Sequence, residues 1–234
     1  MAYKTDQYDQ AFIAKNQMGP NAMLMLEELT EKAPLKPGMR VLDLGCGNGL
    51  TSIFLAKEFG VQVFAVDLWV TATDNHQRFI EMGLDDRIIP LRADALNLPF
   101  AENYFDAIIS VDAYQYFGNN DHYFKEKLKP LLKKDAWIGL AFPGMKYEVQ
   151  DNIPEDMKPY WDQEILEMCH SIPWWKTILE QELSNFSIEE MACFERAWND
   201  WLATDNPYAV EDRDMMRMDA GRFMNLIKVT GNVK

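Results

Sequence analysis

The chain has 234 residues, which is long enough for one sizeable α/β domain with an added lid but too short for two full domains. It carries 37 acidic and 23 basic residues, a net charge of −14, with no basic stripe, which argues against a nucleic-acid substrate and against anionic membranes as partners. A hydrophobic content of 48% indicates a packed core.

The N-terminal and cysteine patterns predict a cytoplasmic protein. The first residues, MAYKTDQYDQ, are polar and unlike a signal peptide, and no apolar run approaches the roughly 20 residues of a membrane-spanning helix. Cys46, Cys169 and Cys193 are widely spaced and form no C-x-x-C pair. Cys169 is followed directly by His170, but no second pair of ligands stands at metal spacing. We therefore expect reduced thiols and no metal site.

An N-terminal helical cap is predicted over residues 1–36. The stretch NQMGPNAMLMLEELTEK has the spacing of a helix that buries Met23, Leu26 and Leu29. The segment 18–20, Met-Gly-Pro, precedes this helix. It either only starts the helix or folds over a ligand.

From residue 40 the pattern alternates between short apolar strands and single helices. Five strands are predicted, over residues 40–45, 61–68, 87–94, 104–112 and 136–144. Helices are predicted between them, over residues 50–60, 73–83 and 121–132. Strands of near-continuous Val, Ile, Leu and Ala that alternate with helices predict a parallel sheet covered on both faces.

Beyond residue 145 this alternation breaks down. A weak sixth strand is predicted within 183–195 and a clear last strand over 223–233. The segments 146–182 and 196–222 exceed what a simple α/β fold needs, and they contain five of the seven tryptophans, Trp161, Trp174, Trp175, Trp198 and Trp201. We expect these two segments to form a helical, aromatic-rich lid.

The stretch VLDLGCGNGL, residues 41–50, ends an apolar strand in a glycine-rich turn. Gly45, Gly47 and Gly49 allow the backbone to approach a ligand where a helix N-terminus offers free N–H groups. A dinucleotide loop, G-x-G-x-x-G/A, would need glycine or alanine where Leu50 stands. Asp43, two residues before the first glycine, would repel a pyrophosphate but would favour a cationic ligand. The pattern thus favours S-adenosylmethionine over a dinucleotide.

This stretch resembles the first motif of the class I S-adenosylmethionine-dependent methyltransferases, and further motifs follow in order over residues 38–144. VFAVDL ends on Asp67, at the spacing of the acid that binds the ribose hydroxyls. RADALNLPF resembles the segment that holds adenine, and NYFDAIISVDAYQYFG resembles the fourth-strand motif. The resemblance implies a doubly wound, mostly parallel, Rossmann-like sheet of seven strands with the last strand antiparallel.

The resemblance also implies the site residues. Its cofactor-binding set comprises Asp43, Gly45, Cys46, Gly47, Gly49, Asp67, Leu68, Asp94, Ala95, Ser110 and Asp112. Asp112 either contacts a ligand or caps the next helix. The candidate catalytic side chains are Tyr114, Tyr116, His122 and His170.

The predicted function is methyl transfer from S-adenosylmethionine to a small-molecule acceptor by in-line displacement at an activated sulfonium methyl. The protein must then bring donor and acceptor together in a dry pocket, and it needs a base only if the acceptor must lose a proton. Neither the acceptor atom (N, O, S or C) nor the oligomeric state follows from the sequence. The alternatives are a dinucleotide-dependent oxidoreductase and a non-catalytic protein that binds S-adenosylmethionine.

Overall fold

The predicted strands pair into one seven-stranded sheet in the computed structural model, which describes residues 3–234. The strands are β1 (Arg40–Leu44), β2 (Gln62–Asp67), β3 (Ile88–Arg92), β4 (Phe105–Val111), β5 (Leu132–Met145), β6 (Leu183–Glu190) and β7 (Met224–Val233). Their order is β3-β2-β1-β4-β5-β7-β6. β1 to β5 pair in parallel, whereas β7 runs antiparallel to both of its neighbours. The predicted fold class, a doubly wound and mostly parallel sheet, is confirmed.

Eight α-helices connect or flank these strands within the described residues. They are α1 (Gln10–Asn16), α2 (Ala22–Leu29), α3 (Leu50–Phe59), α4 (Ala72–Glu81), α5 (Gln163–Met168), α6 (Ile172–Leu179), α7 (Phe194–Leu202) and α8 (Pro207–Asp219). Asn21 caps α2 by accepting from the Leu24 amide at 3.2 Å, and Gly60, with φ of 64°, ends α3. No helix in residues 3–234 is both long enough and apolar enough to cross a bilayer.

Residues 121–132 do not form the regular helix that the sequence predicts. The chain there makes one π-helical turn, Phe124–Leu128, followed by one 3₁₀ turn, Lys129–Leu131. Pro130 has no N–H to donate, so a regular α-helical ladder cannot continue through it.

The two faces of the sheet carry separate apolar clusters. Successive residues of each strand point to opposite faces, so Val41, Val63 and Ile109 lie in one cluster, and Leu42 and Phe64 lie in the other. Side chains of α2, α3 and α7 fill the first cluster, whereas α6 covers the second. The helix α2, which is part of the predicted N-terminal cap, therefore belongs to the core.

Part of the predicted lid also belongs to the core. Trp175 of α6 is fully buried, and its ring centroid lies 4.6 Å from that of Phe142 on β5. The neighbouring Trp174 is only half-buried and stacks on His170 at 3.7 Å, because adjacent helix residues face different directions. Within the segment 146–182, α6 thus packs against one face of the sheet as part of the core. The expectation that all of this segment forms a lid is wrong for α6.

Replacing Trp175 should test this packing. Trp175→Ala should lower the free energy of unfolding by about 3–5 kcal/mol, because it leaves a large cavity in the second cluster. The neighbouring Trp174→Ala should cost only about 1 kcal/mol, the loss of one stacking contact. Urea denaturation followed by circular dichroism measures both. Equal losses in the two variants would contradict the assignment of α6 to the core.

Candidate active site

Three cavities meet at the carboxyl ends of β1, β2 and β4, where the strand order reverses direction. The glycine cavity, about 70 Å³, is lined by residues that include Gln17, Gly47 and Asn48. The aspartate cavity, about 290 Å³, is lined by residues that include Asp67, Trp69 and Asp94. The tryptophan cavity, about 250 Å³, is lined by residues that include Trp198, Trp201 and Asp212. Tyr116 lines all three.

The glycines of the first motif are required by the backbone. Gly45, Gly47 and Gly49 have φ of 76°, 52° and 81°, in the left-handed region that other residues rarely adopt. A Cβ on Gly45 would lie 2.2 Å from the Cβ of Ala113, and one on Gly49 would lie 2.5 Å from Cε1 of Phe79. The loop after β1 therefore fits closely against the loop after β4 and against α4.

The amides of this loop already have acceptors. The N–H groups of Gly45 and Cys46 donate to the Val66 carbonyl at 2.8 and 3.0 Å. The N–H of Gly47 donates to Asp67 Oδ2 at 2.8 Å. These three amides are held by β2 and its end, so they are not free to cradle a phosphate.

Asp67 lies at the wall of the aspartate cavity and is 7% exposed. Its Oδ1 accepts from the amides of Trp69 and Val70 at 2.8 and 2.9 Å, and its Oδ2 accepts only from Gly47. A carboxylate offers about four acceptor sites, so Oδ2 retains room for a ligand hydroxyl. A second hydroxyl would have to share Oδ1.

The segment predicted to hold adenine lines the same cavity. Asp94 is exposed there, and its Oδ1 accepts from the Leu96 amide at 2.8 Å in an Asx turn. Ala95 and the 49%-exposed Leu68 also contribute to the wall. The cavity therefore brings together Asp67, Leu68, Asp94 and Ala95, as the motifs predicted.

Trp69 is a site residue that the sequence analysis missed. It is 64% exposed, and its ring meets that of Tyr116 edge-on at 5.5 Å across the aspartate cavity. A large exposed aromatic side chain beside a cavity is a common ligand contact. The available signal was its position, two residues after the strand-end acid Asp67.

Two predicted cofactor residues, Asp43 and Ser110, lie outside the linings of the three cavities. Asp43 is fully buried and lines none of the three cavities. Its Oδ2 accepts from the hydroxyls of Thr51 and Ser52 at 2.6 Å each, so it fixes the start of α3. Burial raises the pKa of Asp43 to about 6. Ser110 is also fully buried and donates to the Leu44 carbonyl at 2.7 Å, which ties β4 to β1.

Asp112 lies where the glycine and tryptophan cavities meet. Its φ of 54° is left-handed, and its Oδ1 accepts from Gln115 Nε2 at 3.3 Å. A Cβ on Gly19 would lie 2.0 Å from Asp112 Oδ2, so the segment 18–20 fits against this carboxylate and lines both cavities. Burial, with a smaller contribution from the charge of Asp212, raises the pKa of Asp112 to about 7.

Of the four candidate catalytic side chains, only Tyr116 reaches the cavities. Tyr114 is fully buried in the second apolar cluster. The side chain of His122 is 71% exposed on the surface. His170 bonds through Nδ1 to Glu148 Oε2 at 2.8 Å and does not line a cavity. The structure places these three side chains away from the three cavities, because residue type and sequence position do not reveal which way a side chain points.

The segment 196–222 contributes both tryptophans and one of the two carboxylates of the tryptophan cavity. Trp198 and Trp201 of α7 are 5% and 1% exposed, and the Trp201 indole N–H donates to Asp212 Oδ2 at 2.8 Å. Tyr208 of α8, 72% exposed, stands at the rim. Burial raises the pKa of Asp212. The sequence analysis missed Asp212 because it is one of several acids in α8 with nothing to single it out.

The cysteines offer neither a disulfide nor a metal site. Cys46, Cys169 and Cys193 are free, buried thiols, and burial raises the pKa of Cys169 to about 12. Cys46 lines the glycine cavity and Cys169 the tryptophan cavity. Within residues 3–234, no cluster of three or more His, Cys, Asp or Glu side chains could hold a metal ion.

Comparison with known sequences identifies part of the chain. The family profile described as "methyltransferase domain" matches residues 41–135. Methyltransferase GfsG of Streptomyces halstedii is 31% identical over 108 residues, which are 46% of this chain and 39% of that protein. The chain spans less than half the length of the curated relatives it matches.

Comparison with solved structures agrees with the fold. Phosphoethanolamine N-methyltransferase 2 of Haemonchus contortus, in complex with S-adenosylmethionine, matches 97% of this chain and 58% of that chain, with a TM-score of 0.76 and 22% identity. The [4+2]-cyclase SpnF matches 97% of this chain and 94% of that chain, with a TM-score of 0.69 and 16% identity. At these identities the likeness establishes the fold, which can carry more than one chemistry.

The first prediction for the site concerns Asp67. Asp67→Asn removes a charged acceptor beside the aspartate cavity. It should weaken the binding of S-adenosylhomocysteine by about 1.5–3 kcal/mol, roughly 10- to 150-fold in affinity. Isothermal titration calorimetry measures the affinity. The matched control is Asp86→Asn, an exposed acid before β3 that should bind as the parent does. Unchanged affinity in a folded Asp67→Asn protein would refute the assignment.

The second prediction concerns the pH dependence of stability through Asp112. Its native pKa of about 7 exceeds the ordinary value of 3.8, so the native state holds a proton that the unfolded state has released. The protonated Asp112 carboxyl therefore contributes to the free energy of unfolding at low pH, and this contribution is lost as the pH rises from about 4 to about 7. Asparagine tolerates a left-handed backbone, so Asp112→Asn should fold.

Urea denaturation at pH 5 and pH 8 measures the effect. The parent should lose about 1–3 kcal/mol more stability over this interval than Asp112→Asn does. Identical losses in the two proteins would show that Asp112 titrates normally.

Proposed function

We propose that the chain transfers a methyl group from S-adenosylmethionine to a small-molecule acceptor, because a methyltransferase-domain profile matches residues 41–135 and the fold resembles that of a methyltransferase in complex with S-adenosylmethionine. The observation that carries the proposal is the arrangement of the cavities. The glycine and aspartate cavities form one cleft around Gly45, and the tryptophan cavity meets that cleft at Asp112 and Tyr116. A donor and an acceptor can thus lie side by side.

The residues present fit S-adenosylmethionine. Asp67 would accept from the ribose, and the aspartate cavity would hold adenine between Trp69 and the Asp94 segment. At the glycine cavity, Gln17 is 4% exposed and its Oε1 has no hydrogen-bond partner among the described residues. An unpartnered acceptor there suits the ammonium group of the methionine end. Once bound, this cofactor supplies a methyl group that is already activated on a cationic sulfur.

The work left to the chain is to position the acceptor and to exclude water. Tyr116 contributes to the wall of all three cavities, and the segment 18–20 covers the boundary between two of them. We propose that residues 3–21, which precede the core helix α2, form the cover of the site together with 146–171 and 196–222. Asp112 is the one carboxylate at the junction, so it is placed to hold a proton when the acceptor must lose one.

A dinucleotide-dependent oxidoreductase is the first alternative. Its phosphates would need the free amides of the glycine loop, but Val66 and Asp67 already occupy those of Gly45, Cys46 and Gly47. The second alternative is a protein that binds S-adenosylmethionine without transferring its methyl group. The tryptophan cavity beside the cleft favours catalysis over this reading, because a protein that only bound the cofactor would not need it.

We also propose that no nucleic acid is a partner, since the net charge of −14 opposes phosphate backbones. A cytoplasmic location is proposed from the three free thiols, which a reducing compartment preserves.

The experiment is a screen of small amines, thiols, phenols and fatty acids for release of S-adenosylhomocysteine, with the methylated product identified by mass spectrometry. Two exposed aromatic residues then separate the two halves of the site. Trp69→Ala should lower the affinity for S-adenosylhomocysteine about 5- to 10-fold, because it removes one wall of the aspartate cavity. Tyr208→Ala should instead lower kcat/KM for the acceptor while the affinity for S-adenosylhomocysteine stays within about threefold.

The matched control is Tyr147→Ala, a 52%-exposed tyrosine that lines none of the three cavities and should leave both quantities unchanged. Tight binding of S-adenosylhomocysteine with no product from any acceptor class would favour the non-catalytic alternative. Binding of NAD in preference to S-adenosylhomocysteine would favour the oxidoreductase.

A further inference from the structure

The tryptophan cavity has a chemical character that narrows the choice of acceptor. We propose that it binds a small amine in its ammonium form, with Asp112 and Asp212 recognising the positive charge. This inference rests on the function proposed above and adds the class of substrate.

Two carboxylates from different elements face this cavity. Asp112 follows β4 and Asp212 belongs to α8. Burial raises the pKa of both groups, and the charge of Asp212 adds to the shift of Asp112. Like charges in a shared, partly desolvated space repel each other, and a cation bound between them would relieve that repulsion. The pair therefore favours a cationic ligand over a neutral one.

A third acceptor points to the same kind of ligand. Gln115 is 3% exposed and lines the cavity, and its Oε1 has no partner among the described residues although its amide nitrogen bonds to Asp112. A buried acceptor without a donor is costly unless a ligand supplies one. An ammonium group carries N–H donors for this amide oxygen and for the acceptor positions that the two carboxylates retain beside their bonds from Gln115 and Trp201.

The rest of the cavity wall suits the body of an amine. Trp198, Trp201, Tyr208 and Tyr116 surround it together with several methionines. Aromatic rings stabilise a cation placed over their faces and also bury apolar groups attached to the nitrogen. No lysine, arginine or histidine lines the cavity, so a phosphate or carboxylate on the ligand would find no counter-charge.

The position of Asp112 also answers how an ammonium ion becomes reactive. A nitrogen must have a free lone pair before it can accept a methyl group, so one proton must leave. The carboxylate of Asp112, which lines both the glycine and the tryptophan cavities, is placed to take that proton from the nitrogen, which keeps the lone pair. A carboxyl group with a pKa of about 7 can hold the proton and return it to solvent near neutral pH.

The test compares ligands of one shape and different charge. 2-Phenylethylamine, 2-phenylethanol and phenylacetate share an apolar body, and the matched pair cyclohexylamine and cyclohexanol supplies a second one. Phosphoethanolamine adds a phosphate to an amine. Each is titrated calorimetrically at pH 7.5 into the 234-residue chain saturated with S-adenosylhomocysteine. The amines should bind at least tenfold more tightly than the alcohols, as expected for one charge-assisted contact, and phenylacetate and phosphoethanolamine should bind most weakly.

Variants then assign the preference to the carboxylate. Asp212→Asn keeps an oxygen for the Trp201 indole but removes the charge, and it should reduce amine binding about tenfold while leaving the alcohols within about twofold. The matched control is Asp214→Asn, an exposed acid of the same helix that pairs with Arg217 at 2.7 Å and should behave as the parent does.

The outcomes separate this inference from the proposed function. If S-adenosylhomocysteine does not bind the parent protein, the proposed function itself fails. If it binds but the alcohols or phenylacetate match the amines, or if no amine binds, the proposal of an amine acceptor is overturned. An amine preference that survives in Asp212→Asn would likewise overturn the assignment to this carboxylate. The comparison of ligands on the parent protein still tests the preference for amines even if the Asp212→Asn variant fails to fold.

Discussion

The hydrogen bonds of the Asp67 carboxylate join the loop after β1 to the loop after β2. One oxygen holds the Gly47 amide at 2.8 Å, and the other holds the amides of Trp69 and Val70. Both loops leave the sheet at its carboxyl end. The same carboxylate therefore sets the spacing between the glycine loop and the exposed ring of Trp69, and it fixes the shape of the cleft before any ligand arrives.

This constraint extends to the rest of the site through close backbone contacts. Gly45 fits against Ala113, and Gly19 fits against Asp112, with no space for a side chain at either glycine. The loop after β4 is thus held between the glycine loop on one side and the N-terminal segment on the other. Asp112, with its left-handed backbone, is in turn fixed at the boundary between two cavities. A chain of short-range contacts therefore runs from β2 to the acceptor side of the site.

The strands of the sheet could be predicted from the sequence because the patterns that indicate them are local. Apolar runs, glycine turns and the acid at the end of β2 are properties of a few consecutive residues, and the resemblance supplied the strand count. The side chains were harder to assign. Tyr114 and Tyr116 are two residues apart, yet one is fully buried in the core and the other reaches every cavity. Asp43 fixes the start of α3 through Oδ2, a role that its place in the glycine motif does not reveal. Asp212 becomes a site residue only because α8 lines the same cavity as Asp112, which lies far away in the sequence.

The shared position of Tyr116 links the occupants of the site energetically. Its ring forms part of the wall of all three cavities and rests edge-on against Trp69. A movement of this ring that suits a ligand in one cavity changes the space and the contacts offered in the other two. Affinities for the proposed donor and acceptor would then not be independent, and by thermodynamic reciprocity each ligand would alter the affinity of the other by the same factor. Cooperativity between them would thus follow from one aromatic side chain, without any movement of domains.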